Sequence, residues 1–279
     1  MRHLKSQEQS ILALSLLIFT WMTLVFFVEY HNGTLRLEHY FSFVQRQSDI
    51  EFNTLRSKRV QEAPRCGEFL CFSGEEFVEL YNQIDAQRLN VDSVPVTFED
   101  QMLNTYVNNF AQGRGYLLRS FADSSRLVPF NGLQTLPEVR NAYNALKDEM
   151  LKQGIALHFV SGYRDLENQR RIFLSKLDIE QPNDILTGAY DEQLAKVLER
   201  SALPGYSKHH SGYAVDFGCG NDYLVFEFAE TECYQWMSQN NFEPIKKYGF
   251  IPSYPEDVMY QGPNPEPWEY VYVGTDYLK

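Results

Sequence analysis

The longest apolar stretch of the chain runs from Ile11 to Val28 and contains no charged residue. As an α-helix, these 18 residues would extend about 27 Å, close to the thickness of the hydrocarbon core of a bilayer. A buried helix of a soluble protein would show a polar stripe. A cleaved signal peptide would be followed by a small-x-small site, which is absent here. The pattern predicts a transmembrane anchor over residues 11–30.

The residues before this stretch predict its orientation. Arg2 and Lys5 lie in the predicted tail of residues 1–10, and positive residues favour the cytoplasmic side, although Glu8 reduces the bias. We therefore expect a single-pass protein of the inner membrane with a cytoplasmic N-terminus. Its main domain would lie in the periplasm.

The pattern after the apolar stretch predicts one regular domain preceded by a connecting region. Residues 31–63 mix charged and apolar positions, which indicates a helical stalk, and 64–124 are predicted to form an accessory region packed on the main domain of residues 125–279. Within that domain, helices are predicted over 137–153, 165–174, 190–201 and 230–240, and strands over 155–160, 213–217 and 268–273. This order is typical of an α+β fold with helices around a small antiparallel sheet.

Composition and charge narrow the classes of function. The chain is 44% hydrophobic and 22% charged, which is the composition of a globular protein. Its formal net charge is −12. Nucleic-acid binding requires a basic face for phosphate contacts, so this class of function is excluded.

The cysteines suit an oxidising compartment. Cys66, Cys71, Cys219 and Cys233 all follow the apolar stretch. Sequence alone permits three pairings, and we predict the two local disulfides, Cys66–Cys71 and Cys219–Cys233. A zinc site built from four thiolates is the competing interpretation, but Cys219 and Cys233 are too far apart to form a zinc knuckle.

Residues 207–216 carry the clearest chemical signal, a histidine and a carboxylate on either side of a small-residue turn. His209 and Asp216 lie seven residues apart, and Gly212 lets the chain fold back between them. Such a pair alone is common in proteins without a metal. A zinc hydrolase needs about three protein ligands, an open position for water and a carboxylate base. Glu266 and Glu269 provide further carboxylates near the C-terminus.

The pattern Ser-x-His-x-x-Gly-x-Ala-x-Asp at 207–216 resembles that of the VanY-type zinc D-alanyl-D-alanine carboxypeptidases. Further motifs follow in the same order, and the resemblance covers residues 127–279, about half of the chain. These motifs are Ser161-Gly162-Tyr163-Arg164 with Gln169 and Phe173, Gly249-Phe250-Ile251 with Tyr254-Pro255, and Glu266-Pro267-Trp268.

The resemblance assigns roles to individual residues. It implies that His209 and Asp216 bind zinc and that Glu266 is the general base. Arg164 would stabilise developing negative charge or hold the terminal carboxylate of the substrate, which suits a guanidinium fork. The residues implied to contact the substrate are Ser161, Tyr163, Arg164, Gln169 and Ser207.

One ligand position departs from the family pattern. Glu269 stands where the family has a third, histidine ligand, and we predict that its carboxylate binds the metal instead. Two anionic ligands would make the ion a weaker Lewis acid than one. His210 is the alternative third ligand. Ser253 and Val271 also stand where the family often carries arginine.

These observations predict a membrane-anchored zinc carboxypeptidase that trims D-alanine from peptidoglycan stem peptides. Two alternatives stay open. One is a non-catalytic domain that binds peptidoglycan after loss of its metal site. The other is a related endopeptidase that cuts within the stem or a cross-bridge, for which the carboxylate-binding role of Arg164 is the discriminating feature.

Overall fold

A five-stranded antiparallel sheet lies at the centre of the structure, a computed structural model that describes residues 64–91, 94–179 and 181–279. In chain order, the strands are β1 (Arg65–Cys66), β2 (Phe69–Leu70), β3 (Val128–Phe130), β4 (Leu133–Thr135), β5 (Leu157–Ser161), β6 (Ala214–Cys219), β7 (Asp222–Tyr223), β8 (Phe250–Tyr254) and β9 (Glu266–Tyr272). The central sheet has the spatial order β5–β6–β9–β8, and β7 also pairs with β6. The pairs β1–β2 and β3–β4 form separate two-stranded sheets.

Helices accompany these sheets. In chain order, they are α1 (Gly74–Gln87), α2 (Gln101–Gly113), α3 (Pro137–Lys152), α4 (Leu166–Lys176), α5 (Asp191–Leu198), α6 (Glu232–Met237) and α7 (Gln239–Lys246). Short 3₁₀ turns occur at Ser124–Arg126, Pro182–Thr187, Lys208–Ser211 and Phe226–Glu230. The small antiparallel sheets and the helices confirm the predicted α+β class.

Local signals define the two helices on either side of β5. Pro137 occupies the first turn of α3, and Gly154, with φ of 81°, follows the end of that helix. The Asp165 side chain accepts a hydrogen bond of 2.7 Å from the backbone N–H of Asn168, and so caps α4 as predicted. The short loop before this cap carries Arg164.

One face of the central sheet packs against α3 and forms the main core. Val215 and Phe217 of β6 and Tyr270 of β9 are fully buried there, in one cluster with Tyr143 and Leu146 of α3. The rings of Phe217 and Tyr270 stack with their centroids 5.1 Å apart. Because successive strand residues point to opposite faces, the residues between these project from the other face of the sheet.

The described part of the predicted accessory region, residues 64–124, packs against the turn that precedes β6. The Tyr81 hydroxyl of α1 lies 3.1 Å from Ser211 Oγ. Further along, the backbone N–H of Arg119 donates to the carbonyl of Gly205 at 2.9 Å. These contacts support one side of the segment with the predicted histidine ligand.

The predicted membrane helix over 11–28 and the predicted stalk over 31–63 lie outside the described residues. Among the helices that the structure does describe, none is both long enough and apolar enough to cross a bilayer. The membrane anchor therefore stays a prediction.

The helix predicted over 230–240 is wrong in its last turn, because α6 ends three residues earlier. Asn240, Asn241 and Phe242 lie within the bounds of α7, but their positive φ of 46°, 60° and 62° form a kink near the start of that helix. The Asn241 side chain accepts from the N–H of Phe72 at 2.8 Å and donates to its carbonyl at 2.7 Å. A contact across 169 residues thus overrides the local helical pattern.

Both predicted disulfides are present. Cys66–Cys71 joins β1 to the residue after β2, and Cys219–Cys233 joins the end of β6 to α6. The second bridge therefore ties a central strand of the sheet to a helix of the core.

Replacing Cys219 and Cys233 together by serine is expected to lower the free energy of unfolding by about 3 kcal/mol, because this bridge closes a loop of roughly 15 residues. Replacing Cys66 and Cys71, which close a loop of roughly six residues, is the matched comparison, with an expected loss of about 2 kcal/mol. Denaturant unfolding measures both. A greater loss from the shorter loop would contradict this argument.

Candidate active site

The strand register brings three predicted site residues side by side. Asp216 of β6 pairs with Glu269 of β9 and with Ser161 of β5. Paired residues of antiparallel strands point to the same face. Val215 and Phe217 face the core, so the three paired residues project from the opposite face.

An irregularity in β9 lets two glutamates share this face. In a regular strand, Glu266 and Glu269 would point to opposite faces because they are three residues apart. Between the pairs Pro252–Tyr270 and Tyr254–Glu266, however, β9 contributes three residues where β8 contributes one. This bulge turns the strand locally. Both glutamates consequently line the same groove.

His209 enters the site from the 3₁₀ turn Lys208–Ser211, which ends at Gly212. Gly212 has φ of 73°, a left-handed conformation that favours glycine. A Cβ at this position would lie 3.1 Å from the Ala122 Cβ and 3.2 Å from the Leu136 Cγ. Both the conformation and the limited space therefore favour glycine, and the turn leads directly into β6.

Three buried side chains converge within one groove. One ligand atom from each of His209, Asp216 and Glu269 lies within 4.8 Å of the other two. His209 Nε2 is 3.4 Å from Asp216 Oδ2 and 3.4 Å from Glu269 Oε2. Tetrahedral zinc with bonds of about 2.0–2.1 Å separates its ligands by roughly 3.3–3.4 Å. The observed spacing fits a small divalent cation.

The hydrogen bonds around this cluster leave its inner atoms available to a metal. His209 Nδ1 lies 2.7 Å from the carbonyl oxygen of Gly162, which can only accept. Nδ1 therefore carries a proton, and a metal bound in the cluster would replace the proton on Nε2, which faces the two carboxylates. Asp216 Oδ1 is buried without a hydrogen-bond partner among the described residues. The converging electron-pair donors have the chemistry of a metal site.

Electrostatics favour a positive charge in the cluster. Burial alone would lower the pKa of His209, but the negative charge of Asp216 and the hydrogen bond to Glu269 raise it to about 9. Burial alone would raise the pKa of Glu269, but His209 and then Lys208 lower it to about 2. Glu269 is therefore an ionised carboxylate at neutral pH.

His210, the alternative third ligand, faces away from the cluster toward backbone groups. Its Nδ1 lies 2.6 Å from the carbonyl oxygen of Arg164, and its Nε2 accepts from the N–H of Gly205 at 3.0 Å. Burial lowers the pKa of His210 to about 4, so the ring is neutral at pH 7. Its two hydrogen bonds join the Arg164 loop to the segment before the turn that carries His209.

Glu269 is oriented from behind by two residues that the sequence did not mark as functional. The Ser253 hydroxyl donates to Glu269 Oε1 at 2.6 Å, which leaves Oε2 toward the cluster. Lys208 Nζ donates to the Ser253 carbonyl at 2.7 Å and to its hydroxyl at 3.1 Å. Burial lowers the pKa of Lys208, while the charge of Glu269 raises it. The hydrogen bonds from Lys208 to Ser253 and from Ser253 to Glu269 fix the Glu269 carboxylate in place.

Glu266 lines the groove beside the cluster without belonging to it. Its enclosed position raises the pKa of Glu266, and the charges of Glu269 and Asp216 raise it further, whereas Arg164 lowers it. A carboxylate with a raised pKa next to a metal cluster suits a group that must both accept and return a proton.

Arg164 faces the cluster from the loop after β5. Its Nη1 donates to Gln169 Oε1 at 2.8 Å and its Nη2 to Ser161 Oγ at 3.2 Å, while Nη2 lies 4.0 Å from Asp216 Oδ2. Gln169 is held in turn by a 2.6 Å hydrogen bond to the carbonyl of Ala202. The guanidinium plane is thereby fixed, and such a fork can bind a carboxylate.

A groove of about 800 Å³ contains the cluster and its neighbours. Of the residues predicted to contact the substrate, Arg164, Gln169 and Ser207 line this groove. Ser161 and Tyr163 lie outside its lining, and Ser161 supports the arginine instead. Further lining residues that the sequence analysis did not select include Tyr116, Lys176, Lys196, Arg200, Leu224 and Tyr254.

A cluster of three residues that could bind a metal, an adjacent carboxylate and an arginine in one groove are the groups that a metal-dependent hydrolase requires. The family model described as VanY, D-alanyl-D-alanine carboxypeptidase, matches residues 133–275, just over half of the chain. The chain therefore belongs to the VanY D-alanyl-D-alanine carboxypeptidase family. This result confirms the family that the sequence motifs indicated.

Known relatives match about half of the chain. The putative carboxypeptidase YodJ of Bacillus subtilis is 33% identical over 148 residues, which are 51% of this chain and 47% of YodJ. VanXYC of Enterococcus gallinarum, a bifunctional D-Ala-D-Ala dipeptidase and D-Ala-D-Ala carboxypeptidase, is 32% identical over 156 residues, 53% of this chain and 73% of VanXYC. The chain spans under half the length of YodJ.

Among solved structures, a mutant of the vancomycin-resistance D,D-pentapeptidase VanY in complex with Zn(II) is similar to this chain. It is 26% identical, with a TM-score of 0.44, and the match covers 58% of this chain and 89% of the other.

Proposed function

We propose that this chain is a zinc-dependent carboxypeptidase that releases the terminal D-alanine from D-alanyl-D-alanine stem peptides of peptidoglycan. The observation that carries the proposal is the placement of the metal cluster, Glu266 and Arg164 in one groove. Family membership supports the reaction, as does the carboxypeptidase activity in the name of VanXYC.

His209, Asp216 and Glu269 would hold the zinc ion through one ring nitrogen and two carboxylate oxygens. Zinc supplies Lewis acidity toward the attacking water and the scissile carbonyl. A second anionic ligand reduces that acidity. Hydrogen bonding from Ser253, itself held by Lys208, withdraws negative charge from the Glu269 carboxylate and offsets part of this reduction.

Glu266 transfers the proton during the reaction. It accepts a proton from the attacking water and then returns that proton to the amine of the leaving D-alanine. Its raised pKa supports both steps, because a strongly acidic carboxyl would bind the proton too weakly to carry it. Its position beside the cluster leaves it available for this transfer.

Arg164 binds the terminal carboxylate of the substrate. Its hydrogen bonds to Gln169 and Ser161 hold the guanidinium in place before the substrate arrives, which lowers the cost of ordering it. A carboxylate bound there positions the last peptide bond near the metal cluster. This role favours a carboxypeptidase over an endopeptidase.

We propose that the reaction takes place in the periplasm. Two disulfides support an oxidising compartment. The charge-free stretch Ile11–Val28 supports an inner-membrane anchor with the carboxypeptidase domain on the outer side.

D-Alanine release from diacetyl-L-lysyl-D-alanyl-D-alanine tests this function. The purified full chain is expected to bind about one zinc ion, to lose turnover on chelation and to regain it when zinc is returned. The matched control is the same peptide with a C-terminal amide. We expect much slower cleavage of the amide, because it offers Arg164 no carboxylate.

The possible results separate the candidate functions. Zinc and peptide binding without D-alanine release would establish the non-catalytic alternative, for which the replacement of a family histidine by Glu269 is the specific argument. Equal cleavage of the acid and the amide would establish an endopeptidase. A chain that neither binds zinc nor releases D-alanine would overturn the proposal.

A further inference from the structure

Three cations line the groove, and we call Lys176, Lys196 and Arg200 the cationic wall. They come from the end of α4, from α5 and from the segment after α5. Glu199 also lines the groove, but within the described residues no carboxylate lies within 4.0 Å of these three cations. A chain with a net charge of −12 thus places unpaired cations along its groove.

Hydrogen bonds connect the cationic wall to Arg164, which would bind the terminal carboxylate of the substrate. Lys176 Nζ donates to Ser201 Oγ at 2.6 Å. The next residue, Ala202, accepts from Gln169 Nε2 at 2.6 Å, and Gln169 Oε1 accepts from Arg164. Arg164 and Lys176 are therefore linked through neighbouring residues along one side of the groove.

Arg200 is held beside the strand that carries the two glutamates. Its Nη2 donates to the Leu224 carbonyl at 3.3 Å, and its guanidinium lies 5.3 Å from the Phe226 ring centroid. The Phe226 ring in turn lies 5.4 Å from that of Trp268. Partial burial lowers the pKa of Lys176 and the charge of Arg200 lowers it further, whereas the charge of Glu266 raises it, so Lys176 lies within electrostatic range of both residues.

We infer that the cationic wall binds a second carboxylate of the substrate, on a residue that precedes the terminal D-alanyl-D-alanine. This inference rests on the proposed function, because Arg164 must already hold the terminal carboxylate. The cations that remain attract an anionic side chain and repel an ammonium group. The preferred ligand is a peptide with an acidic side chain upstream of the scissile bond.

Two tripeptides form a matched test of this preference. meso-Diaminopimelate differs from lysine only by a carboxylate on the carbon that bears the distal amine. Nα-acetylated peptides with either residue before D-alanyl-D-alanine therefore differ by the one group in question. We expect the diaminopimelate peptide to have a kcat/KM roughly tenfold higher, the scale of a charge-assisted hydrogen bond.

Substitutions test whether the cationic wall causes the preference for the diaminopimelate peptide. In the double variant Lys176→Met and Arg200→Met, the ratio of the two kcat/KM values is expected to fall to roughly twofold or less, as only Lys196 of the wall remains and a single exposed charge contributes little. Arg171→Met is the matched control, because Arg171 lies on the same helix, is exposed and bonds Asn168 outside the groove lining. It should keep the original ratio.

Calorimetric binding of both peptides to the zinc-loaded Glu266→Gln variant provides a second measurement that needs no turnover. Equal kcat/KM and equal affinity for the two peptides would overturn the inference while leaving the carboxypeptidase function intact. A preference that survives the double substitution would also overturn it. Absence of D-alanine release from both peptides would instead count against the proposed function, and the binding preference would still decide the role of the wall.

Discussion

The Glu266→Gln variant is expected to release D-alanine roughly 10²–10⁴ times more slowly than the unmodified chain, the range for loss of a general acid–base group. Glutamine has the same shape but cannot accept a proton from water or return it to the leaving amine. Because the Arg164 clamp is unchanged, KM should change little. Initial rates over a range of peptide concentrations give kcat and KM separately.

Zinc content distinguishes a base from a ligand in this experiment. Glu266 lies outside the cluster of His209, Asp216 and Glu269, so the variant should still bind zinc. Glu199→Gln removes another carboxylate that lines the groove outside the cluster and is the matched control, with kcat close to that of the unmodified chain. Loss of zinc from Glu266→Gln, or an unchanged kcat, would contradict the assigned role.

Local sequence signals were sufficient to predict the elements that hold the Arg164 loop. Helix α3, strand β5 and helix α4 begin and end within two residues of the predicted bounds. Pro137 and Asp165 act on the chain within one turn of their own positions, and so the sequence contains the information that defines these helix starts.

The metal cluster could be predicted as a set of residues but not as a geometry. His209 and Asp216 are joined by a short turn, whereas Glu269 follows more than fifty residues later. Only the register between β6 and β9 places it opposite Asp216. The bulge that turns Glu266 toward the same groove depends on pairing with β8, which local patterns do not encode.

No local sequence pattern predicted that Lys208 and Ser253 hold the Glu269 carboxylate in place. Lysine is rarely buried, yet Lys208 is 1% exposed and contacts a residue 45 positions away. In the sequence, Ser253 and Glu269 are two separate departures from the family pattern. In the structure they are joined by a 2.6 Å hydrogen bond and form one unit.

Glu269→Ala is expected to lower the zinc affinity of the chain by more than the roughly 10–100-fold that loss of an outer-shell partner costs, because two protein ligands would remain. Glu269→His should retain zinc and turnover, since imidazole nitrogen is a good zinc ligand. Competition with a chromophoric chelator measures affinity in each variant. An unchanged affinity in Glu269→Ala would show that the carboxylate does not bind the metal.

The Lys208–Ser253 chain is expected to act on zinc only through the Glu269 carboxylate. Lys208→Met should lower zinc affinity roughly tenfold in the unmodified background, as Ser253 loses the donor that orients it. In the Glu269→His background, the same substitution should change affinity by less than about threefold, because Ser253 no longer contacts a carboxylate ligand. Unfolding free energies, measured in parallel, control for general destabilisation. Equal losses of affinity in both backgrounds would mean that Lys208 supports the fold rather than the ligand.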